Sequence, residues 1–486
     1  MFGIIILGFS YFRLRPIYFQ TVAYTYDQGR DMLKAAEIVL YKNPTFIGPT
    51  TGIMGLFHGA WWYYYLSFVF LLTGGAPIYF YVGSFIVHTV TFVAMFWFLH
   101  KYFSTYTALV ISLLVAVSPY FISAHIFIGN NILVLPFLAL FLGVHFVLLE
   151  TMPKQKRNQK FLFLLAGLSL GLVAEFEFAF GLLLIPLYVI LIAITNLKQI
   201  MMKQKNILYV LGGLLIVFFP RILFEVKNNF SQTRTLLSFI THPKLYDPKP
   251  YSELLVDRAF MLMNFYRSLF PNLFTLVIVT LFLVFTALFL VKTKKAVYKD
   301  FFMFVIYLIF GLFVMSVLYR DNFWANYYEG FPYFYLALIA VCLVNLPKKI
   351  TRVVSIFFLV VLFFVLGQKI YGSFGQAPVF DGLVKQQTVV DYVVKQSPQE
   401  LACVRVYTPP VIPYTYDYLF QFNERKGTGL RTTKDWVDDA CWFIIESDSF
   451  FERQQNWIKE NVPQQGTRIN QKIIGDISIE LWKASQ

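Results

Sequence analysis

Two carboxylates and an arginine stand within one turn of chain in Tyr26-Asp27-Gln28-Gly29-Arg30-Asp31, directly after the first apolar run of an oily sequence. Asp27 and Asp31 are four residues apart, a spacing that puts both on one face of a helix. Ionisable groups at the edge of a bilayer are costly and by default mark function. Acids flanking a base suit general-base chemistry, in which a carboxylate accepts a proton while a cation steadies developing negative charge. Whether these residues do so depends on the side of the membrane they occupy.

Composition identifies the class. Of 486 residues, 58% are hydrophobic, 19% aromatic and only 14% charged, with a mean hydropathy of +0.61. Soluble domains carry about 25% charged residues, so the chain is expected to be a polytopic α-helical membrane protein. The net charge of +14 is unevenly spread: from Tyr371 onward there are 12 basic and 14 acidic residues, leaving 29 and 13 before it, a net of +16. Much of that excess falls in four short loops, Lys154/Lys156/Arg157/Lys160, Lys198/Lys203/Lys205, Lys292/Lys294/Lys295/Lys299 and Lys348/Lys349/Arg352. Short cytoplasmic loops gather Lys and Arg. The basicity therefore reads as an orientation signal, with membrane lipids and no nucleic acid among the partners.

Apolar runs of spanning length are expected at 77–99, 104–121, 130–149, 160–176, 178–195, 207–224, 271–292, 301–319, 329–346 and 352–369. The opening run has only twelve residues before Arg13, whereas about 20 are needed to span. A late start or a tilted entry helix accounts for it. With the four basic loops in the cytoplasm, residues 119–129, 175–178, 225–270, 320–328 and everything after 370 lie outside. The run 58–73 clusters His58, Trp61, Trp62 and Tyr63–Tyr65 at one end, the aromatic signature of an interface. It reads as a juxtamembrane helix rather than a span. The expectation is about eleven spans, a first outer loop over 14–76 that holds Asp27 outside, and a second outer loop over 225–270. The setting is the plasma membrane.

The domain reading is a transmembrane unit over 1–370 and an extracytoplasmic α/β unit over 371–486. In the latter, helices are expected at 381–396, 412–424 and 450–461, and strands at 401–407, 441–446, 468–475 and 477–483. Cys403 and Cys441 fall in two of the strands and can pair in an oxidising space; Cys342 lies in an apolar run and reads as packing. No phosphate-cradling glycine loop, metal-ligand spacing or nucleophile elbow is present in the tail.

This topology collects the polar residues on one face. Asp27, Arg30, Asp31, Lys34, Glu37 and His58 sit in the first outer loop; His125, Asn130, Asn131, Glu175, Glu177 and Arg221 lie near it in depth. Arg320, Asp321, Asn322, Asn326, Tyr327, Tyr328 and Glu329 close another connection. Such a gathering suits a charged, polyhydroxylated substrate at the lipid boundary. Each also has a plainer reading: Glu175 and Glu177 as an outer turn, Arg221 as a snorkelling side chain, His58 as a hydrogen-bonded interface residue, Arg30 and Asp31 as a helix salt bridge.

YDQGRD followed by MLKAAEIVL, then GPTTGIMGLFHGAWWYYYL, SPYFISAHIFIGNN, FPRILFEVKNNF and NYYEGFPYFYLALIA resemble in order the GT-C membrane glycosyltransferases. The similarity is to the protein O-mannosyltransferase, aminoarabinose transferase and RgtA-like group. It covers roughly 20–340 and not the tail. The resemblance implies an inverting transfer from a polyprenyl-phosphate sugar to an acceptor hydroxyl of a lipid, protein or envelope glycan. It places the catalytic carboxylate at Asp27 with Asp31 as a nearby second acid; relatives often have an Asp-Glu pair where this chain has Asp27-Gln28, which leaves open which of the two aspartates is the base. It implies Arg221, with Tyr328 and Arg30, for the donor phosphate, and leaves room for a divalent cation. His58, Glu175, Glu177 and Asn130 are expected to line the substrate. The rival readings are a transporter or flippase, disfavoured by the absence of an inverted repeat, and a membrane scaffold that presents the tail.

Overall fold

The apolar runs become helices. The structure, a computed structural model, describes all residues except 152–158, 195–205, 243–247, 291–295, 322, 398, 429 and 485–486. Lys154, Lys156, Arg157, Lys198, Lys203, Lys205, Lys292, Lys294 and Lys295, on which the loop-charge argument leans, and Asn322 lie outside the described residues.

The chain begins with α1 (Phe2–Tyr18), α2 (Tyr26–Leu40), the short strands β1 (Ile47–Thr50) and β2 (Phe57–Gly59), and α3 (Trp61–Thr73). Then come α4 (Pro77–Tyr102), α5 (Thr105–Val117), α6 (Pro119–Ala124), α7 (Val134–Thr151), α8 (Gln159–Phe176) and α9 (Phe178–Ile194). They are followed by α10 (Ile207–Lys227), α11 (Ser231–Thr241), α12 (Tyr251–Ser268), α13 (Leu273–Leu290), α14 (Ala296–Leu318), α15 (Phe331–Asn345) and α16 (Lys348–Phe374).

Among the described residues, seven helices are long and apolar enough to cross a membrane, and α12 with α13, bent by 109°, form an eighth candidate. The chain is a multi-pass membrane protein. The sequence count of eleven is larger because it includes α1, of 17 residues, and the apolar but short α5 and α9. The helix α5 stops where Ser118 precedes Pro119, because a residue before proline avoids the helical region; Ser118 sits at φ −63°, ψ 125°. The helix α3 has 13 residues and ends on Gly74 at φ +67°, a left-handed cap that glycine adopts at no cost. At that length it is too short to span. Arg13 anchors α1: fully buried, it donates to the carbonyls of Phe9 and Val115 and to His125 Nδ1 at 3.0 Å.

The packing of α8 on α10 sets the height of two charged groups. A Cβ on Gly167 of α8 would collide with the Val210 carbonyl of α10, and one on Gly213 of α10 would lie 2.5 Å from the Leu164 carbonyl. Small residues let helix backbones approach this closely in membranes. The contacts 167 with 210 and 171 with 217 show that α8 and α10 run parallel in fixed register. That register carries Glu175 and Arg221 to the same height.

The tail forms α17 (Leu383–Gln396), β3 (Leu401–Tyr407), α18 (Tyr414–Asn423), β4 (Arg431–Thr433), β5 (Ala440–Ile445), α19 (Phe451–Asn461), β6 (Thr467–Ile474) and β7 (Ile477–Lys483). Its five-stranded sheet has the order β4-β3-β5-β7-β6; β3 is parallel to both neighbours, and β7 is antiparallel to β5 and β6. Cys403 and Cys441, on the adjacent strands β3 and β5, are joined in a disulfide. The tail is not freestanding. Val389, Tyr416 and Leu419 belong to the same buried cluster as Met32, Ala35 and Phe80.

Gly213→Val should force α10 away from α8, with an overpacking cost of about 1–3 kcal/mol. Thermal unfolding of the purified protein should report a lower midpoint, whereas Gly212→Val, where a Cβ meets open space, should leave it within error.

Candidate functional site

Helix α2 is started by Gln28. Its Oε1 accepts the Thr25 backbone N–H at 2.8 Å in a capping box, and its amide donates to the Ile128 carbonyl at 2.6 Å. Gln28 is buried, so the residue that departs from the Asp-Glu pattern is spent on holding the helix in place.

The first turns of α2 then set three charges in a row. Arg30 Nη1 reaches Asp27 Oδ1 at 2.8 Å, while its Nε and Nη2 both reach Asp31 Oδ1 at 2.8 Å. The other Asp31 oxygen accepts the indole N–H of Trp62 at 2.7 Å. The two acids differ sharply in environment. Asp31 is buried with both oxygens engaged, whereas Asp27 keeps 45% of its side chain exposed. Burial pushes the Asp31 carboxyl up to about 6, against the opposing pull of Arg30 and the Trp62 hydrogen bond. For Arg30, burial acts downward, but Asp31, Tyr63 and Asp27 outweigh it and raise its pKa.

A second cluster surrounds Arg221. Its Nε donates to Glu175 Oε1 at 2.6 Å, and its Nη1 donates to the Phe57 carbonyl at 3.0 Å and to Gln232 Oε1 at 3.1 Å. The same Gln232 oxygen accepts the Phe57 N–H at 3.0 Å, so β2 is gripped on both its polar backbone groups. The Glu175 carboxylate lies against Gly59, where any Cβ would collide with it. Three buried atoms of this cluster have no partner among the described residues: Arg221 Nη2, Gln232 Nε2 and Glu175 Oε2. Unpartnered buried polar atoms are rare and call for an explanation. Two of the three are donors, which is the complement an anion requires.

His58 lies between the clusters. Its Nδ1 accepts the Phe178 N–H at 3.3 Å. Burial, reinforced by the positive charges of Arg221 and Arg30, holds its pKa down at about 3. It is therefore a neutral ring within electrostatic reach of both arginines.

A cavity of about 310 Å³ opens beside the Arg221 cluster, lined by Thr51, Gly52, Glu177, Phe178, Trp324 and Tyr327 among others. Phe178 is the shared wall: its ring lines the cavity and also faces the Arg221 guanidinium at 5.3 Å. Glu177, fully buried between α8 and α9, has its pKa pushed up to about 8 by burial, so at neutral pH it holds a proton.

Of the sequence candidates, the structure assembles Asp27, Arg30 and Asp31 in one patch and Glu175 and Arg221 in another, with His58 between them and Glu177 on the cavity wall. Tyr328 stands apart from both patches. It is fully buried with its hydroxyl on Ser316, and its neighbour Tyr327 lines the cavity instead. Asn130 spends its amide on the Phe176 carbonyl at 2.6 Å and so braces the end of α8. Sequence reasoning misses Gln232; a lone glutamine at the start of an amphipathic helix carries no signal of its own. Among the described residues, no group of three or more His, Cys, Asp or Glu side chains is placed to hold a metal ion.

No protein-family model matches the chain, and no curated protein matches it in sequence. In structure it is similar to ArnT from Cupriavidus metallidurans in the apo state, with a TM-score of 0.56 and 11% identity over 99% of this chain and 98% of that one. The same protein bound to undecaprenyl phosphate gives a TM-score of 0.54 at 11% identity over the same shares. The Archaeoglobus fulgidus oligosaccharyltransferase, in complex with Zn and sulfate, aligns with a TM-score of 0.49 at 12% identity, over 91% of this chain and 67% of that one. The chain shares the overall fold of ArnT. The likeness to ArnT takes in the tail, which the sequence motifs, confined to roughly 20–340, do not reach.

An unfolded Asp loses its proton near pH 4, but Asp31 in the folded protein keeps one to about pH 6. Between those values the folded state binds the extra proton, so this group's contribution to stability falls as pH rises from about 4 to about 6. The loss is on the order of 3 kcal/mol. Asp31→Asn should remove that slope from a series of thermal melts across pH 4–7.

Proposed function

We propose that the chain is a membrane glycosyltransferase that moves a sugar from a polyprenyl-phosphate donor to an acceptor hydroxyl at the extracytoplasmic face. The observation that carries this reading is the unequal acid pair: a half-exposed Asp27 is held by Arg30 against an Asp31 that is buried and fully engaged. A base must reach its substrate, and of the two acids only Asp27 is open to it. The fold shared with ArnT, one of whose structures holds undecaprenyl phosphate, supports a lipid-phosphate donor. The acceptor class is a lipid, a protein or an envelope glycan.

The chemistry follows from the groups present. The acceptor oxygen attacks the anomeric carbon as the bond from that carbon to the phosphate oxygen breaks, so configuration inverts. The acceptor's proton goes to Asp27 within about 3 Å. The leaving lipid phosphate takes the bonding electrons, and its new charge is met by cationic donors. Arg221 and Gln232 are the residues assigned to it, because Nη2 of the one and Nε2 of the other lack a partner among the described residues. Arg30 pairs with Asp27 at 2.8 Å and adds positive charge at the same end. Asp31 in turn fixes Arg30. Neutral His58 adds no third positive charge beside the two arginines, and the 310 Å³ cavity behind Phe178 receives the donor headgroup.

Asp27→Asn should reduce transfer from an undecaprenyl-phosphate sugar by about 10²- to 10⁴-fold while expression and melting stay near wild type. Retained turnover in that variant would remove Asp27 from the role of base. Arg221→Met and Gln232→Leu should weaken undecaprenyl phosphate binding, measured by its inhibition of transfer; unchanged inhibition in both would move the phosphate site elsewhere.

A further inference from the structure

The tail lies directly on the acid helix. At Gly29, midway between Asp27 and Asp31, an added Cβ would stand 2.5 Å from the Thr415 backbone nitrogen and 2.6 Å from the Tyr414 carbonyl oxygen. Those atoms are backbone at the start of α18, so no side-chain rotation relieves the contact. Glycine inside a helix costs roughly 0.5–1 kcal/mol relative to alanine. That cost is borne here in a 15-residue helix where α18 must sit against the turn that carries the acids.

Further bonds tie the tail to the same elements. The Tyr24 hydroxyl, just before α2, donates to the Thr415 carbonyl at 3.2 Å. The Leu383 and Val384 backbone N–H groups donate to the carbonyls of Val22 and Gln20 at 3.0 and 2.9 Å, so the strand of chain leading into α2 is strapped as well. On the other side, the Tyr418 hydroxyl donates to the Gly75 carbonyl, immediately beyond α3, and α3 carries the Trp62 that holds Asp31. One tail helix therefore braces both elements that shape the acid pair.

From this we infer that the C-terminal α/β unit is a positioning part of the transfer site, with Gly29 as the positioning residue through which α18 sets the placement of Asp27. The inference rests on the reading of the chain as a polyprenyl-phosphate-dependent transferase. A Cβ at Gly29 needs about 1 Å more room to reach ordinary contact distance, and a misplacement of about 1 Å from a remote change costs a catalytic site up to ~10²-fold.

The test uses the full-length protein in nanodiscs, with an undecaprenyl-phosphate sugar as donor. Gly29→Ala sets a Cβ against the α18 backbone, so a merely structural contact predicts a lower melting midpoint with kcat per folded enzyme unchanged. The positioning role predicts a 10- to 100-fold lower kcat, a donor KM within threefold of wild type, and faster amide exchange across Tyr414–Asn423. Tyr24→Phe combined with Tyr418→Phe keeps both rings and removes two bonds; it should lower kcat several-fold in the same pattern, and it carries the test if Gly29→Ala does not fold. Wild-type kcat together with wild-type exchange in the variants overturns the inference, as does a parallel loss of kcat and KM with global melting. A wild-type protein that consumes no such donor overturns the transfer reading, and the exchange measurement then decides the positioning contact by itself.

Discussion

Arg30 is the constraint on which the acid site depends. It sits between Asp27 and Asp31 and bonds both. Burying a carboxylate without partners is prohibitively costly, and it is tolerated only when hydrogen bonds satisfy its oxygens. Asp31 is tolerated because Arg30 takes one oxygen and Trp62 the other. Arg30 is thereby fixed in orientation, and its remaining nitrogen can hold Asp27 without burying it. The result is one inert acid and one accessible acid from the same residue type, separated by environment alone. Such divergence within a carboxylate pair is how a protein assigns different roles to identical groups.

The second cluster solves the same problem differently. Arg221 and Glu175 come from separate helices, so their meeting depends on the register of α8 and α10. Glycines at 167 and 213 let those backbones touch, and eight residues further along each helix the ion pair closes. Removing one member of a buried pair costs about 3–5 kcal/mol because it strands the other charge. The pair is therefore a poor source of stability and a firm source of position. Its unpartnered Nη2 and the adjacent Gln232 amide make the cluster chemically incomplete in a way that an anion would complete.

Much of the fold and of the acid patch is legible from sequence, and the reasons are physical. The apolar helices announce themselves by composition. Strands β3, β5, β6 and β7 fall within a residue or so of the runs read for them, because β-rich segments in a polar tail stand out. The acid patch is legible because charge beside an apolar run is costly. Other features leave no local trace. Tyr327 and Tyr328 are adjacent and alike, and only the single 3₁₀ turn over Ala325–Tyr328 decides which one faces the cavity. Gln232 acquires meaning only from Arg221, eleven positions earlier in chain and on another helix. The span count exceeds the eight candidates found among the described residues because it includes α1, α5, which Pro119 cuts short, and α9, of which 17 residues are described. The docking of α18 on Gly29 joins residues nearly 400 positions apart, and no window on the chain reports a contact of that range.

The two clusters are joined by a short piece of chain. The segment 57–62 has its first residue clamped at both backbone groups by Arg221 and Gln232, a glycine at 59 that admits the Glu175 carboxylate, and Trp62 bonded to Asp31 at its far end. These six residues therefore link the Arg221–Glu175 pair directly to Asp31. His58 is the second residue of that segment, and a charged ring there would repel both arginines. The burial that keeps it neutral thus lets two positive groups share one end of the molecule. The tail holds α2, the α8–α10 pair holds Arg221, and the segment between them joins both anchors.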